Sequence, residues 1–153
     1  VERCFSQYFH SYRLGLESLD LESALSAESD RLAGAEEQLV APGGSHRSYQ
    51  EHSYMSRSRY EHQLSRFEKY FNPDQFLLLR SEDLFENAVG VWDRMLNFLS
   101  LHSMSFPVNI SPANLGFGES KDVPHRLRKQ LRKALDPTYF AMKEHYGITW
   151  PKS

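Results

Sequence analysis

The hydrophobic positions between residues 53 and 84 predict a helix, a tight turn and a short strand. From residue 55 onward, apolar side chains recur at helical spacing, at Met55, Tyr60, Leu64, Phe67 and Phe71. Pro73 predicts that this helix ends, because proline disfavours the α conformation at the residue before it. Phe76–Leu79 is a continuous apolar run, which is typical of a strand covered on both faces. A helix that leads into such a strand predicts an α/β layer structure.

Helical patterns with recognisable ends lie on both sides of this unit. They are predicted near residues 1–12, at Leu21–Ala33 with Ser18 or Asp20 as N-cap, after Asn87, after Pro124, and between Asp136 and Gly147. We therefore expect an α/β fold that is mostly helical, with one buried strand near Gln75–Arg80. Residues 35–54 are predicted to form a long loop, and residues 102–123 an irregular region. The acidic residues of the second helix are predicted to form a solvated face, at Glu22, Glu28 and Asp30.

The composition is typical of one globular domain. The 153 residues are 40% hydrophobic and 13% aromatic, which is enough apolar material for a packed core. A net charge of −2 gives no overall field that would favour nucleic acid as a partner. Cys4 is the single cysteine, which excludes an intrachain disulfide framework and a cysteine-based zinc site. No apolar run approaches the length of a membrane span, so no transmembrane segment is predicted.

Consecutive motifs in the 53–84 unit resemble those of a known enzyme family. The predicted helix carries S-R-x-x-Y-x-x-Q-L-x-R-F at residues 56–67, followed by N-P-D-Q at 72–75 and S-E-D-L at 81–84. This order resembles the later half of the PAPS-dependent sulfotransferases, especially the heparan-sulfate and other carbohydrate sulfotransferases and their bacterial relatives. The resemblance implies a P-loop-like sulfotransferase fold. It also implies transfer of a sulfuryl group from 3′-phosphoadenosine-5′-phosphosulfate (PAPS) to a hydroxyl or amine, with a carbohydrate as one class of acceptor.

The resemblance assigns four residues to the donor nucleotide. The first eight residues are similar to a family segment, x-x-R-x-x-S-x-Y, that opens a helix beside the 3′-phosphate. A helix N-terminus suits an anion, because its first N–H groups are unpaired. Residues 119–121 are similar to the start of an E-S-K-G-R-like loop that closes over the same phosphate, but Asp122-Val123 replaces the last two letters. The cofactor-binding residues implied are Arg3, Ser6, Ser120 and Lys121.

Three residues at the start of the 56–67 motif are candidates for contact with the acceptor. They are Arg57, Arg59 and Tyr60. In the carbohydrate sulfotransferases this helix begins near the acceptor cleft, and a guanidinium group suits carboxylate and sulfate geometry. The alternative is that both arginines lie on a solvated helix face. Near the C-terminus, Tyr139-Phe140 and the run from Gly147 to Trp150 resemble the family's closing Y-F…G-x-x-W, with Trp150 as a packing anchor.

The resemblance covers only the later part of a sulfotransferase domain. No G-x-x-x-x-G-K-[ST] loop is present, and no strand precedes a glycine-rich turn. Because the family's catalytic base lies in its first half, residues 1–153 are expected to be a partial domain with no catalytic residue and no activity alone. Val1 falls in the middle of a predicted element, which also indicates a fragment or a processed chain. A strand without its sheet neighbours would expose Phe76–Leu79, so self-association is expected.

Two other functions are compatible with the same residues. One is a non-catalytic α/β module that binds an anionic partner through the basic residues between Lys121 and Lys133. The other is a metal or acid–base hydrolase that uses some of the seven histidines. The hydrolase is disfavoured, because no two histidines are four residues apart with a helical glutamate between them, and no metal site is expected. The compartment stays open: cytoplasm for a bacterial protein, or Golgi lumen for a eukaryotic carbohydrate sulfotransferase.

Overall fold

The fold is a packed assembly of helices. A computed structural model describes residues 1–106 and 118–150, and all regular structure in these ranges is helical. The α-helices are α1 (Glu2–Arg13), α2 (Leu21–Arg31), α3 (Ala35–Val40), α4 (Arg47–His52), α5 (Tyr60–Phe67), α6 (Ser81–Glu86), α7 (Ala88–Phe98), α8 (His125–Ala134) and α9 (Asp136–Tyr146). Short 3-10 turns lie at Ser56–Ser58, Pro73–Gln75 and Glu119–Asp122.

The predicted α/β fold with a buried strand near Gln75–Arg80 is wrong. Pro73–Gln75 is a 3-10 turn. Phe76 and Arg80 have extended dihedral angles, but residues 76–80 have no partner strand within the described ranges. A strand needs a neighbour to bond its backbone groups, and a single apolar run supplies none. The side chains of residues 76–80 are only half-buried. The expectation of a P-loop-like fold is wrong for the same reason, because that fold requires a sheet.

The core forms where α1 packs against α8 and the chain around Tyr54. The buried positions of α1 recur at helical spacing and include Cys4, Phe5 and Tyr8. The buried cluster that surrounds them consists of Ala24, Tyr54, Val123, Leu127, Leu131 and Leu135. Its members come from the start, the middle and the end of the chain, so this one core fixes the positions of all three regions.

Several helix ends agree with the predictions made from capping residues. Asp20 caps α2, since its carboxylate accepts a hydrogen bond from the Ser23 N–H at 3.0 Å. Asn87 caps α7 in the same way, through the Gly90 N–H at 3.0 Å. Gly147 ends α9 with a φ of +64°, a left-handed conformation that glycine adopts without a steric penalty.

The helix predicted from Met55 to Phe71 is divided into two parts. A 3-10 turn at Ser56–Ser58 precedes α5, and Arg59 separates them with a non-helical ψ of 74°. The buried carboxylate of Glu28 explains this division. It accepts hydrogen bonds from the Met55 N–H at 2.8 Å and from the Ser56 N–H at 2.9 Å, so it caps the turn rather than the longer helix.

Two predictions about the neighbouring residues are also corrected. The region 35–54, predicted to be a long loop, contains the short helices α3 and α4. Glu28, predicted to lie on a solvated face, is 5% exposed because the chain at residues 55–56 covers it. A carboxylate with three hydrogen-bond donors can be buried, whereas an unpartnered one cannot. Of the irregular region 102–123, residues 107–117 lie outside the described residues.

Glu17 is a second buried carboxylate, and it joins three parts of the core. Arg31 forms an ion pair with it, the Tyr54 hydroxyl donates a hydrogen bond at 2.7 Å, and the Leu19 N–H donates another at 2.9 Å. Burial alone would raise the pKa of Glu17, but these donors outweigh it and lower the pKa to about 2, from an ordinary value of 4.5. The same carboxylate and the burial of Tyr54 raise the pKa of the Tyr54 hydroxyl.

We predict that Glu17 makes the fold sensitive to acid. The pKa of this group is lower in the folded state than in the unfolded state, so its contribution is complete above about pH 4.5 and is lost as the pH falls towards 2. The loss should reach about 3 kcal/mol of unfolding free energy. Urea unfolding of the wild type and of Glu17→Gln between about pH 5 and pH 2 measures it.

The Glu17→Gln variant should be less stable at neutral pH and should depend less on pH than the wild type. Glu22→Gln is the matched control, because Glu22 is a solvent-exposed glutamate that also pairs with an arginine. That control should keep the pH dependence of the wild type. Parallel pH profiles for the wild type and Glu17→Gln would contradict the prediction.

Candidate functional site

A short turn near the C-terminus packs against the first helix. The turn is the 3-10 segment Glu119–Asp122, called here the 119–122 turn, and it contacts α1. Gly118 precedes it with a φ of +90°, which lets the chain reverse direction. Val123 follows it and is buried in the core with Phe5 and Leu127. The apolar anchor after the turn therefore fixes the turn on the surface of α1.

The contact between α1 and the 119–122 turn joins the two elements that carry the predicted nucleotide-binding residues. Arg3 and Ser6 are exposed and lie one turn apart on α1, and Lys121 is exposed on the 119–122 turn. We call Arg3, Ser6 and Lys121 the anion cluster. Within the described ranges, none of these three side chains has a hydrogen-bond or ion-pair partner. Ser120 is half-buried, and its carbonyl oxygen accepts a hydrogen bond from Arg128.

Next to Arg3 lies an aromatic cavity of about 310 Å³. Its lining includes Arg3, Ser58, Tyr60, Thr138, Tyr139 and Trp150. The Trp150 ring stacks on Tyr60 with centroids 5.9 Å apart, and it meets the Tyr139 ring edge-on at 5.8 Å. Burial raises the pKa of both tyrosine hydroxyls, so they stay protonated and can donate hydrogen bonds. The cavity walls are thus mainly aromatic, and the charged side chains in the lining are Arg3, Glu2 and Glu82.

The three candidate acceptor residues occupy different environments. Tyr60 lines the aromatic cavity, and Arg59 is exposed at the start of α5. Arg57 is half-buried, and its guanidinium forms hydrogen bonds with other residues of the protein. Its Nε donates to the Ser53 hydroxyl at 2.8 Å, and its Nη2 donates to the Gln50 carbonyl at 2.8 Å, near the end of α4. Because the last carbonyls of a helix have no intrahelical donor, Arg57 satisfies the end of α4.

The three arginines of the basic region 121–133 are all paired with carboxylates. Arg126 forms an ion pair with Glu22 at 2.7 Å, Arg132 pairs with Asp136 at 3.0 Å, and Arg128 pairs with Glu2. The Arg132 guanidinium also lies 3.3 Å from the centre of the Tyr139 ring. The lysines Lys121, Lys129 and Lys133 are exposed. The net charge that this surface offers to a partner is therefore lower than the sequence indicates.

Across residues 1–106 and 118–150, no group of three His, Cys, Asp or Glu side chains is arranged to hold a metal ion. No helix in those ranges is long and apolar enough to cross a membrane.

Thr138 is a site residue that sequence reasoning missed. It is buried, lines the aromatic cavity, and donates a hydrogen bond to the Glu61 carboxylate at 2.8 Å. The other oxygen of Glu61 is buried and has no partner among the described residues. Leu135, just before α9, and Thr138 and Tyr139 in its first turn recur at helical spacing, and this periodicity could have predicted the cavity wall.

Comparisons with protein-family models, with curated proteins and with solved structures found no match for this chain. The sulfotransferase resemblance therefore has no support from a known relative. The functional interpretation rests on the chemistry of the anion cluster and of the aromatic cavity beside it.

We predict that Arg57 and Arg59 differ sharply in their effect on stability. Arg57→Ala removes the donors to the Gln50 carbonyl and to the Ser53 hydroxyl oxygen, which should lower the unfolding free energy by about 2 kcal/mol. Arg59→Ala is the matched control and should change it by no more than about 0.5 kcal/mol, because Arg59 is exposed. Urea unfolding monitored by tryptophan fluorescence measures both. Equal losses would show that Arg57 does not hold the end of α4.

Proposed function

We propose that this chain is the nucleotide-gripping part of a PAPS-dependent sulfotransferase. Arg3, Ser6, Ser120 and Lys121 bind the 3′-phosphate of the donor. The acceptor is a hydroxyl or amine, with a carbohydrate as the favoured class, and it approaches past Arg59 and Tyr60. The catalytic base and the site for the 5′-phosphosulfate lie outside these 153 residues, and the chain alone is inactive.

The observation that carries this proposal is the packing of the 119–122 turn against α1. The motif resemblance paired these two segments in one phosphate site, although they lie at opposite ends of the sequence. An α/β fold was not needed to bring them together, because the shared core of α1, Val123 and Leu127 does so. The motif resemblance assigns α1 and the 119–122 turn to one phosphate site, and the structure shows these two segments in contact. This agreement supports a shared ligand.

The chemistry of the anion cluster suits a phosphate monoester. A guanidinium, a hydroxyl and an ammonium supply charge and hydrogen-bond donors, and all three are exposed. No carboxylate pairs with Arg3 or Lys121 in the described structure, so both charges are available to an anion. Sulfuryl transfer gains most of its rate from placement and charge stabilisation, and a firm grip on the nucleotide supplies the placement.

The alternative of a module that binds an anionic partner through residues 121–133 has weaker support. Its three arginines form ion pairs with Glu2, Glu22 and Asp136, which already neutralise them. An extended anionic partner would have to displace these carboxylates, whereas a small phosphate at the anion cluster would not. The affinities for nucleotides with and without a 3′-phosphate separate the two functions.

We predict that the protein in its full natural length binds 3′-phosphoadenosine-5′-phosphate more tightly than adenosine 5′-phosphate. Ser6→Ala should weaken binding of the first nucleotide by about 1.5–3 kcal/mol, since it removes one hydrogen bond to a charged group. Lys121→Ala should also weaken it, and should reduce the dependence of the affinity on salt. Isothermal titration calorimetry with both nucleotides measures these changes.

Matched variants control for general effects on the surface. Ser26→Ala removes an exposed helical hydroxyl that bonds only the Glu22 carbonyl, and Lys133→Ala removes an exposed lysine of the same basic region. Neither should change the affinity for the 3′-phosphate. Equal affinity for the two nucleotides in the wild type would mean that the 3′-phosphate is not recognised. A loss caused by Lys133→Ala as large as that caused by Lys121→Ala would favour the anionic-partner module.

We also propose that the chain self-associates through Phe76–Leu79. The backbone there belongs to no helix and has no partner strand among the described residues, and its apolar side chains are half-exposed, which is a known hazard of unpaired edges. Sedimentation of the 153-residue chain should show concentration-dependent association, and Leu77→Lys should reduce it. Val40→Lys changes an apolar residue that is 81% exposed elsewhere and should have no effect. A wild-type chain that stays monomeric at all concentrations would contradict this prediction.

A further inference from the structure

We infer that Arg128 is a positioning residue that holds the 119–122 turn on α1 and thereby places Lys121 beside Ser6 and Arg3. This inference rests on the proposed function, because the ligand that Lys121 would meet is the 3′-phosphate. Neither the motif resemblance nor the helical pattern gave Arg128 a role other than membership of a basic helix face.

The contacts of Arg128 connect three separate elements. One terminal nitrogen donates to the Glu2 carboxylate on α1, and the other donates to the Ser120 carbonyl in the turn. The guanidinium lies 5.0 Å from the centre of the Phe5 ring, so the same group also packs on the core face of α1. A single side chain on α8 thus ties the turn to the helix that carries Ser6.

Arg128 is suited to hold the turn rather than to bind a ligand. Its side chain is 27% exposed, compared with 70% for Arg126 on the same helix. Both terminal nitrogens already have protein acceptors. Lys121, by contrast, is exposed, and its own backbone N–H donates to the Gly118 carbonyl at 2.9 Å, which closes the turn. Movement of the turn would therefore move the lysine charge away from α1.

A lysine at position 128 could not replace these contacts. The guanidinium presents two nitrogens in a planar fork and reaches two acceptors at once, whereas an ammonium is a compact point charge. Arg128→Lys therefore keeps the charge of the helix and removes the connection between Glu2 and the Ser120 carbonyl. Arg126→Lys is the matched control, because Arg126 also donates to a glutamate, at 2.7 Å and 2.9 Å, but does not contact the turn.

The first measurement needs no ligand. Hydrogen exchange of the Lys121 and Val123 amides reports on the turn, since both donate within it. Arg128→Lys should accelerate the exchange of these two amides about tenfold, while the melting temperature and the exchange in α9 stay as in the wild type. Arg126→Lys should leave exchange in the turn unchanged. Unchanged exchange in Arg128→Lys would overturn the inference. If Arg128→Lys lowers the melting temperature, a second variant, Glu2→Gln, removes the charge of only one of the two contacts. Glu2→Gln is expected to accelerate exchange in the turn to the same extent. Unchanged exchange in the turn of Glu2→Gln would then overturn the inference.

The second measurement is a double-mutant cycle on the full-length protein with 3′-phosphoadenosine-5′-phosphate, using Arg128→Lys, Lys121→Ala and both together. If Arg128 places Lys121, each single change weakens binding about tenfold and the double variant is no weaker than Lys121→Ala. Independent, multiplying losses would overturn the inference while leaving the proposed function intact. The proposed function would instead be overturned if the wild type bound this nucleotide and adenosine 5′-phosphate equally well. In that case the exchange measurement alone would decide whether Arg128 holds the turn.

Discussion

Burial of one face of α1 is the constraint on which the rest of this structure depends. Cys4, Phe5 and Tyr8 are almost completely removed from solvent, and they pack against leucines of α8 and the residue after the 119–122 turn. Burying a large apolar side chain contributes about 1.5–3 kcal/mol, so this contact dominates the association of the two chain ends. Because the helix has only one apolar face, its opposite face, with Arg3 and Ser6, is directed to solvent beside the turn.

Hydrogen bonds between charged groups and the backbone decide which charges remain available to a ligand. Glu28 and Arg57 satisfy the ends of short helical segments, and Glu17 joins Arg31 to Tyr54 inside the core. Such groups are costly to bury without partners, and for that reason they are bound to the protein itself. The side chains of the anion cluster have no such partners among the described residues, which makes them stronger candidates for anion binding than the paired charged groups.

The helical fold changes what the sulfotransferase proposal requires. The proposed nucleotide grip depends on a helix and a turn, and both are present without any sheet in the described residues. Phe76 and Arg80, at the two ends of segment 76–80, have extended backbone dihedral angles. Its apolar side chains are half-exposed and it has no partner strand among the described residues, which leaves it open to another chain. The helical fold and the expected self-association therefore have the same physical origin.

The sequence by itself determined the local structure. Asp20, Asn87 and Gly147 act within a few residues of their own position, and the helix ends that they predict are the ones observed. The tertiary structure alone decided whether Phe76–Leu79 would pair and which charges would be buried. A strand depends on partners elsewhere in space, and the burial of Glu28 depends on residues 55–56, so neither follows from local periodicity. The pairing of α1 with the 119–122 turn likewise exists only because a core formed from distant residues holds both.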